Sequence, residues 1–103
     1  MITVRRGQGG VRMFQTISAR QLEVYMEDSR RFTLLDVRDA GAFDAGHLDG
    51  AVNIPLEELE MRMAEISRDR PVIVYCGYGS RSMQAARLLD QMGYRASSVG
   101  SVK

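Results

Sequence analysis

Hydrophobic positions fall along this chain in short runs separated by stretches with helical spacing. Phe14–Ile17 is the first run, long enough for a short strand. Ser18 follows with Gln21 three positions on, a capping box that starts a helix over about Ala19 to Met26. Ile17 and Leu22 stand where a hydrophobic staple joins residues across such a cap, and the polar stretch Glu27–Arg31 ends the helix. Thr33–Val37 is a compact apolar run suited to a strand buried on both faces. Ala40–Ala45 has room for a turn or two of helix before the loop Gly46–Gly50. Ala51–Ile54 then makes a short strand closed by Pro55.

Leu56, Leu59, Met63 and Ile66 share one face of the next predicted helix, with Glu57, Glu58 and Glu60 at its positive end as a solvated helix start. Pro71 opens the strand Val72–Tyr75, which leads to Cys76. Beyond a glycine-rich loop, Ala85, Leu88, Leu89 and Met92 fill the i, i+3, i+4, i+7 template, and Gly93 is a natural C-cap. Tyr94–Val99 supplies a last strand. Strands alternating with helices predict an α/β fold, a mainly parallel sheet with helices on both faces. In such sheets ligands bind beyond the C-terminal ends of the strands, where Cys76 lies.

Composition narrows the picture without adding chemistry. A chain of 103 residues makes one domain, able to bury roughly 60–70% of its unfolded surface without staples. An apolar share of 45% excludes wholesale disorder, and a net charge of +1 gives no reason to expect a nucleic-acid or membrane partner. The single cysteine cannot close an internal disulfide, which fits a reducing, cytoplasmic setting. No apolar stretch approaches the roughly 18 residues of a membrane span. Residues 1–13, with three arginines, three glycines and no acid, are expected to form a flexible lead-in to one domain over 14–103.

The candidate chemistry sits at the end of the strand Val72–Tyr75. Cys76 enters the turn Gly77-Tyr78-Gly79-Ser80, and a helix-forming stretch follows with Arg81 and Ser82 in its first turn. Such a turn can aim successive backbone N–H groups at one point, and the helix adds its positive end there. Both effects favour a thiolate. Arg81 opposes the helix dipole unless an anion sits beside it. A lone cysteine is more often a buried small hydrophobe, but the glycines and Arg81 reverse that reading: Cys76 is a nucleophile. Asp36 and Arg38 are read as a hydrogen-bonded or ion pair fixing the end of the second strand. His47 is the only histidine and is read as a satisfied loop residue rather than a general base. One histidine and one cysteine make a poor metal site, so no metal or cofactor is expected.

Two motifs resemble the single-domain rhodaneses, a family of sulfurtransferases. Leu35-Asp36-Val37-Arg38, Phe43, Gly46-His47-Leu48, Gly50-Ala51 and Asn53-Ile54-Pro55 are similar to the family's N-terminal signature. Tyr75-Cys76-Gly77-Tyr78-Gly79-Ser80-Arg81-Ser82 is similar to its active-site loop. The resemblance spans about Ile17 to Val99 and implies a five-stranded, mainly parallel sheet. It also implies a ping-pong reaction in which Cys76 takes a sulfane sulfur from thiosulfate, a persulfide or a polysulfide and passes it to cyanide or a thiol. Gly77, Tyr78, Gly79, Ser80, Arg81 and Ser82 would then cradle the substrate. Asp36, Arg38 and His47 fall on the structural signature.

The alternatives are a sulfur-carrier or regulatory binding module that hands sulfur to a partner protein, and a cysteine-dependent phosphatase or arsenate reductase. Those phosphatases carry one residue more between cysteine and arginine than Gly77–Ser80, and usually histidine where this chain has Tyr75. Three departures stand out. Ala42 replaces a common glutamate. Gly77 and Tyr78 are uncharged where thiosulfate users often carry basic residues. The usual closing Gly-Gly element and tryptophan-bearing helix are missing after Val99, and the chain has no tryptophan. One flank of the sheet then needs another cover, for which a homodimer is the simplest expectation and the N-terminal segment its rival.

Overall fold

The computed structural model describes residues 15–77 and 80–99. The predicted lead-in, Phe14, the loop residues Tyr78 and Gly79, and residues 100–103 lie outside the described residues. In chain order the elements are β1 (Gln15–Ile17), α1 (Ala19–Tyr25) continued by a 3-10 segment Met26–Arg31, β2 (Thr33–Asp36), α2 (Ala40–Ala45) and β3 (Val52–Asn53). A 3-10 turn Leu56–Glu58 leads into α3 (Leu59–Arg62) and a second 3-10 turn Met63–Glu65, followed by β4 (Val72–Tyr75), α4 (Ser80–Gln91) and β5 (Ala96–Val99). The capping box is present: Ser18 Oγ accepts from Gln21 N at 3.1 Å, and Gln21 Oε1 accepts from Ser18 N at 2.9 Å.

The five strands form one sheet in the order β1-β5-β4-β2-β3, and every pairing is parallel. From β2 the chain continues outward to β3 on one side; from β4 it continues outward to β5 on the other. The order therefore reverses between β2 and β4, and the crevice of a doubly wound sheet opens at the C-terminal ends of those two strands. Arg38 and Cys76 lie just past those ends.

Side chains alternate across the sheet and bury on both sides. On one side Leu35, Val37, Val72, Val74 and Cys76 pack with Leu59 and Met63 and with Ala85, Ala86 and Leu89 of α4. Full burial of each large apolar side chain there contributes about 1.5–3 kcal/mol. On the other side Leu34, Ile73, Tyr75 and Val99 pack with Leu22 of α1, Phe32 and the partly buried Met26, Leu48 and Ala51. These four sheet residues are 5% exposed or less.

Two predicted helices differ in detail. The polar stretch after α1 winds on as a 3-10 helix and delivers Phe32 into the core. The helix predicted from Leu56 to Ile66 has only four α-helical residues, Leu59–Arg62. Tyr94 Oη donates to the carbonyls of Met63 and Ile66, at 3.0 Å each, and Met63 O also accepts from Ile66 N in a 3-10 turn. Ile66 itself is extended, at φ −99 and ψ 124, and ends the helix there. Gly93, at φ +95, ends α4 as its sequence position predicts. Met92, by contrast, is half exposed rather than in the core.

Candidate active site

All four residues of β4 are buried, and the strand ends at Cys76, itself 3% exposed. The first N–H groups of a helix have no partner within it, and here one of them is used on sulfur: Ser82 N donates to Cys76 Sγ at 3.3 Å. An N–H donor together with the positive end of the twelve-residue α4 favours the thiolate over the thiol. The Ser82 side chain points elsewhere. Its Oγ lies 3.0 Å from Ser98 Oγ and 3.2 Å from Val99 O, tying the start of α4 to β5. Of the predicted cradle, Ser82 contributes its backbone to Cys76 and its hydroxyl to the scaffold, while Tyr78 and Gly79 lie outside the described residues.

A cleft of about 290 Å³ opens beside the sulfur, lined by Arg38, Gly46, His47, Leu48, Tyr75, Cys76 and Gly77. Its far wall is held by a buried polar network. Asp36, wholly buried, accepts from Arg38 N at 2.9 Å, from Arg38 Nε at 3.1 Å on both oxygens, and from Arg38 Nη2 at 2.8 Å. The hydrogen bonds it donates to Asp36 raise the pKa of the guanidinium further, so Arg38 stays charged. Arg38 Nη2 also donates to Gly46 O at 2.6 Å. Asn53 Nδ2 donates to the carbonyls of Asp36 and Arg38, each at 3.0 Å. Tyr75, next to Cys76 in sequence, accepts from Leu48 N through its hydroxyl at 3.0 Å and lies beneath the Arg38 guanidinium, 5.8 Å from ring centre to Cζ. Burial pushes the Tyr75 phenol up to about 12, with Asp36 adding to the rise. The predicted Asp36–Arg38 pair is thus real, and it reaches further than the strand end. It anchors the 46–48 loop across the cleft from Cys76.

His47 is held as a loop histidine should be. Its Nδ1 lies 2.8 Å from Phe43 O, and its ring stacks on Phe43 at 3.7 Å with the planes 5° apart. The ring also lines the cleft beside Cys76, which sequence reasoning did not foresee. Arg81 goes a different way. Its Nη1 meets Asp39 Oδ1 at 3.4 Å, with both side chains largely exposed, and it is not among the residues that line the cleft. The pair links the start of α4 to the turn after β2. Gly77 lines the cleft without a positive φ, and a Cβ built there would meet nothing within 4 Å. The sequence reading missed Tyr75 Oη, Asn53 and the Ser82–Ser98 pair. The first carried a signal, since a tyrosine in a fully buried strand requires a partner for its hydroxyl.

A thiol that accepts an N–H at a helix N-terminus, beside a small cleft, has the chemistry to attack a small electrophilic sulfur. Comparison with known proteins places the chain. It is 36% identical over 81 residues to the thiosulfate sulfurtransferase GlpE of Shewanella oneidensis, covering 79% of each sequence. The crystal structure of a rhodanese-related protein from Thermoplasma volcanium superposes with a TM-score of 0.78 at 30% identity, covering 85% of both chains. The human single-domain sulfurtransferase TSTD1 superposes with a TM-score of 0.73 at 29% identity, covering 88% of this chain and 93% of that one. Residues 18–102 match the rhodanese-like domain, a span that holds both the Asp36–Arg38 signature and the Cys76 loop, and the chain belongs to the rhodanese-like sulfurtransferase family.

Proposed function

We propose that this protein moves a sulfane sulfur through a persulfide on Cys76. The Cys76 thiolate attacks the outer sulfur of the donor, the donor's S–S bond breaks, and the remainder leaves as an anion: sulfite from thiosulfate, a thiolate from an organic persulfide. The terminal sulfur of the Cys76 persulfide is then attacked by cyanide or a thiol, and Cys76 leaves as the thiolate it began as. No net oxidation occurs at Cys76. The observation that carries this reading is the Ser82 N–H on Cys76 Sγ beside an open cleft, a contact that serves a sulfur anion and has little value to an inert thiol.

Donor choice follows from the charges. Arg38 is the only arginine or lysine that lines the cleft among the described residues, and Asp36 already engages it. A thiosulfate dianion finds little uncompensated positive charge there, so persulfides and polysulfides are the better donors. Thiocyanate formation from cyanide, measured with thiosulfate, glutathione persulfide and inorganic polysulfide in turn, tests this. Turnover with the latter two should exceed that with thiosulfate. No thiocyanate with any donor would overturn the proposal.

A further inference from the structure

We propose that His47 is a second catalytic residue, whose Nε2 takes the proton from a thiol acceptor as that thiol attacks the Cys76 persulfide. The inference rests on sulfur transfer through Cys76 and concerns only the second half of the reaction.

Four constraints fix one ring. Phe43 O is a carbonyl and can only accept, so the Nδ1 that lies 2.8 Å away carries a proton. In the neutral imidazole that leaves the lone pair on Nε2. The Phe43 stack sets the plane of the ring. The backbone is pinned on both sides of it, at Gly46 by Arg38 Nη2 and at Leu48 by Tyr75 Oη. Among the described residues Nε2 has no hydrogen-bond partner, and the ring, exposed to solvent, lines the cleft that contains Cys76. A histidine kept only to close the loop needs Nδ1 and the stack; it does not need to face the nucleophile's cleft. Among the described residues the charged and titratable groups that share the cleft with it are Arg38 after β2, Tyr75 of β4 and Cys76 just past it.

An ordinary alkyl thiol, with a pKa of about 8.5, is only a few per cent thiolate near neutral pH, so an incoming acceptor gains from a base. In the step assigned here the acceptor's S–H proton passes to Nε2 and the acceptor sulfur bonds to the terminal sulfur of the persulfide. The bond from that sulfur to Cys76 Sγ breaks, and Sγ departs with the electron pair. The imidazolium then returns its proton to solvent through the exposed face of the ring. Sulfur oxidation states exchange between donor and acceptor, and no outside oxidant or reductant enters.

The test separates acceptors by their need for a base. Cys76 is loaded with polysulfide, freed of excess, and mixed with either cysteine or an electron-poor arenethiol that is already ionised at neutral pH, and loss of the sulfane sulfur is followed by intact mass. His47→Gln keeps a donor for Phe43 O but has no basic nitrogen. It should slow transfer to cysteine about a hundredfold, the usual order for a lost general base, and transfer to the arenethiol less than about threefold. In His47→Ala, added imidazole should restore much of the cysteine rate. Equal losses with both thiols, or no loss with either, would overturn the assignment, as would failure of imidazole to rescue. Failure of the parent protein to take up sulfur at all is a separate result, and it would remove the sulfur-transfer proposal together with this one.

Discussion

Asp36→Asn should be among the most damaging conservative substitutions in the chain, although Asp36 touches no substrate. The carboxylate is wholly buried and accepts four hydrogen bonds from Arg38, while the Arg38 side chain is 25% exposed. Removing one member of a buried ion pair costs about 3–5 kcal/mol, mostly because the other charge is left without compensation. Water reaches part of Arg38, and asparagine keeps one acceptor oxygen, so the loss here should be about 2–4 kcal/mol. For a domain of this size that lowers Tm by roughly 10–25 °C. The assay is urea unfolding followed by circular dichroism, with Arg38→Met and the double variant alongside. Asp36→Asn/Arg38→Met leaves no unpaired buried charge, so its destabilisation should fall short of the sum of the single variants. A loss below about 1 kcal/mol for Asp36→Asn, or strict additivity in the cycle, would refute the claim that this pair holds the cleft wall.

Other consequences follow from single contacts. The folded protein holds the Tyr75 proton more tightly than the unfolded chain, with a pKa of about 12 against 10.0, so that stabilisation is present below pH 10 and lost as pH rises through about 12. Urea midpoints should fall across this window, and Tyr75→Phe should lose that part of the fall while being about 1–2 kcal/mol less stable near neutral pH, because the Leu48 N–H loses its acceptor. Arg81→Lys should change stability by less than about 0.5 kcal/mol, since its pair with Asp39 is long and exposed, and should leave KM for an anionic donor within about twofold, since Arg81 does not line the cleft; a rise of about threefold or more would contradict that placement. Gly77→Arg should fold normally, because nothing crowds a Cβ there, and should raise kcat/KM for thiosulfate about three- to tenfold by adding an uncompensated cation to the cleft; a fall for thiosulfate would contradict the charge argument for donor choice.

What the sequence made legible was local. The capping box at Ser18 and Gln21, the apolar faces of α3 and α4, and the delivery of Cys76 by a buried strand all depend on residues within a few positions of each other. The features it hid join distant positions. Tyr75 Oη meets Leu48 twenty-seven residues away, Ser82 Oγ meets Ser98 sixteen away, and Tyr94 Oη donates to Met63 O and Ile66 O, thirty-one and twenty-eight away. Arg81 shows the limit at the site itself. Its place in the first turn of α4 pointed to an anion, and in the structure that anion is the Asp39 carboxylate, forty-two positions away. The Nδ1 contact and the ring stack of His47 are both with Phe43, four positions away in sequence. Its second environment, beside Cys76, arises only when the 46–48 loop folds against the end of β4.

Sulfur transfer by this protein requires that Cys76 carry the transferred sulfur. Intact-mass spectrometry of the protein before and after a polysulfide or persulfide donor answers this directly, because the chain has one cysteine. The parent should gain the mass of about one sulfur, lose it on addition of cyanide with matching release of thiocyanate, and regain it on a second exposure to donor. Cys76→Ser has nearly the same volume, but its hydroxyl stays protonated near neutral pH and cannot take sulfane sulfur, so it should fold and show no gain. A parent protein that gains no sulfur, or a Cys76→Ser variant that gains it equally, would contradict the account.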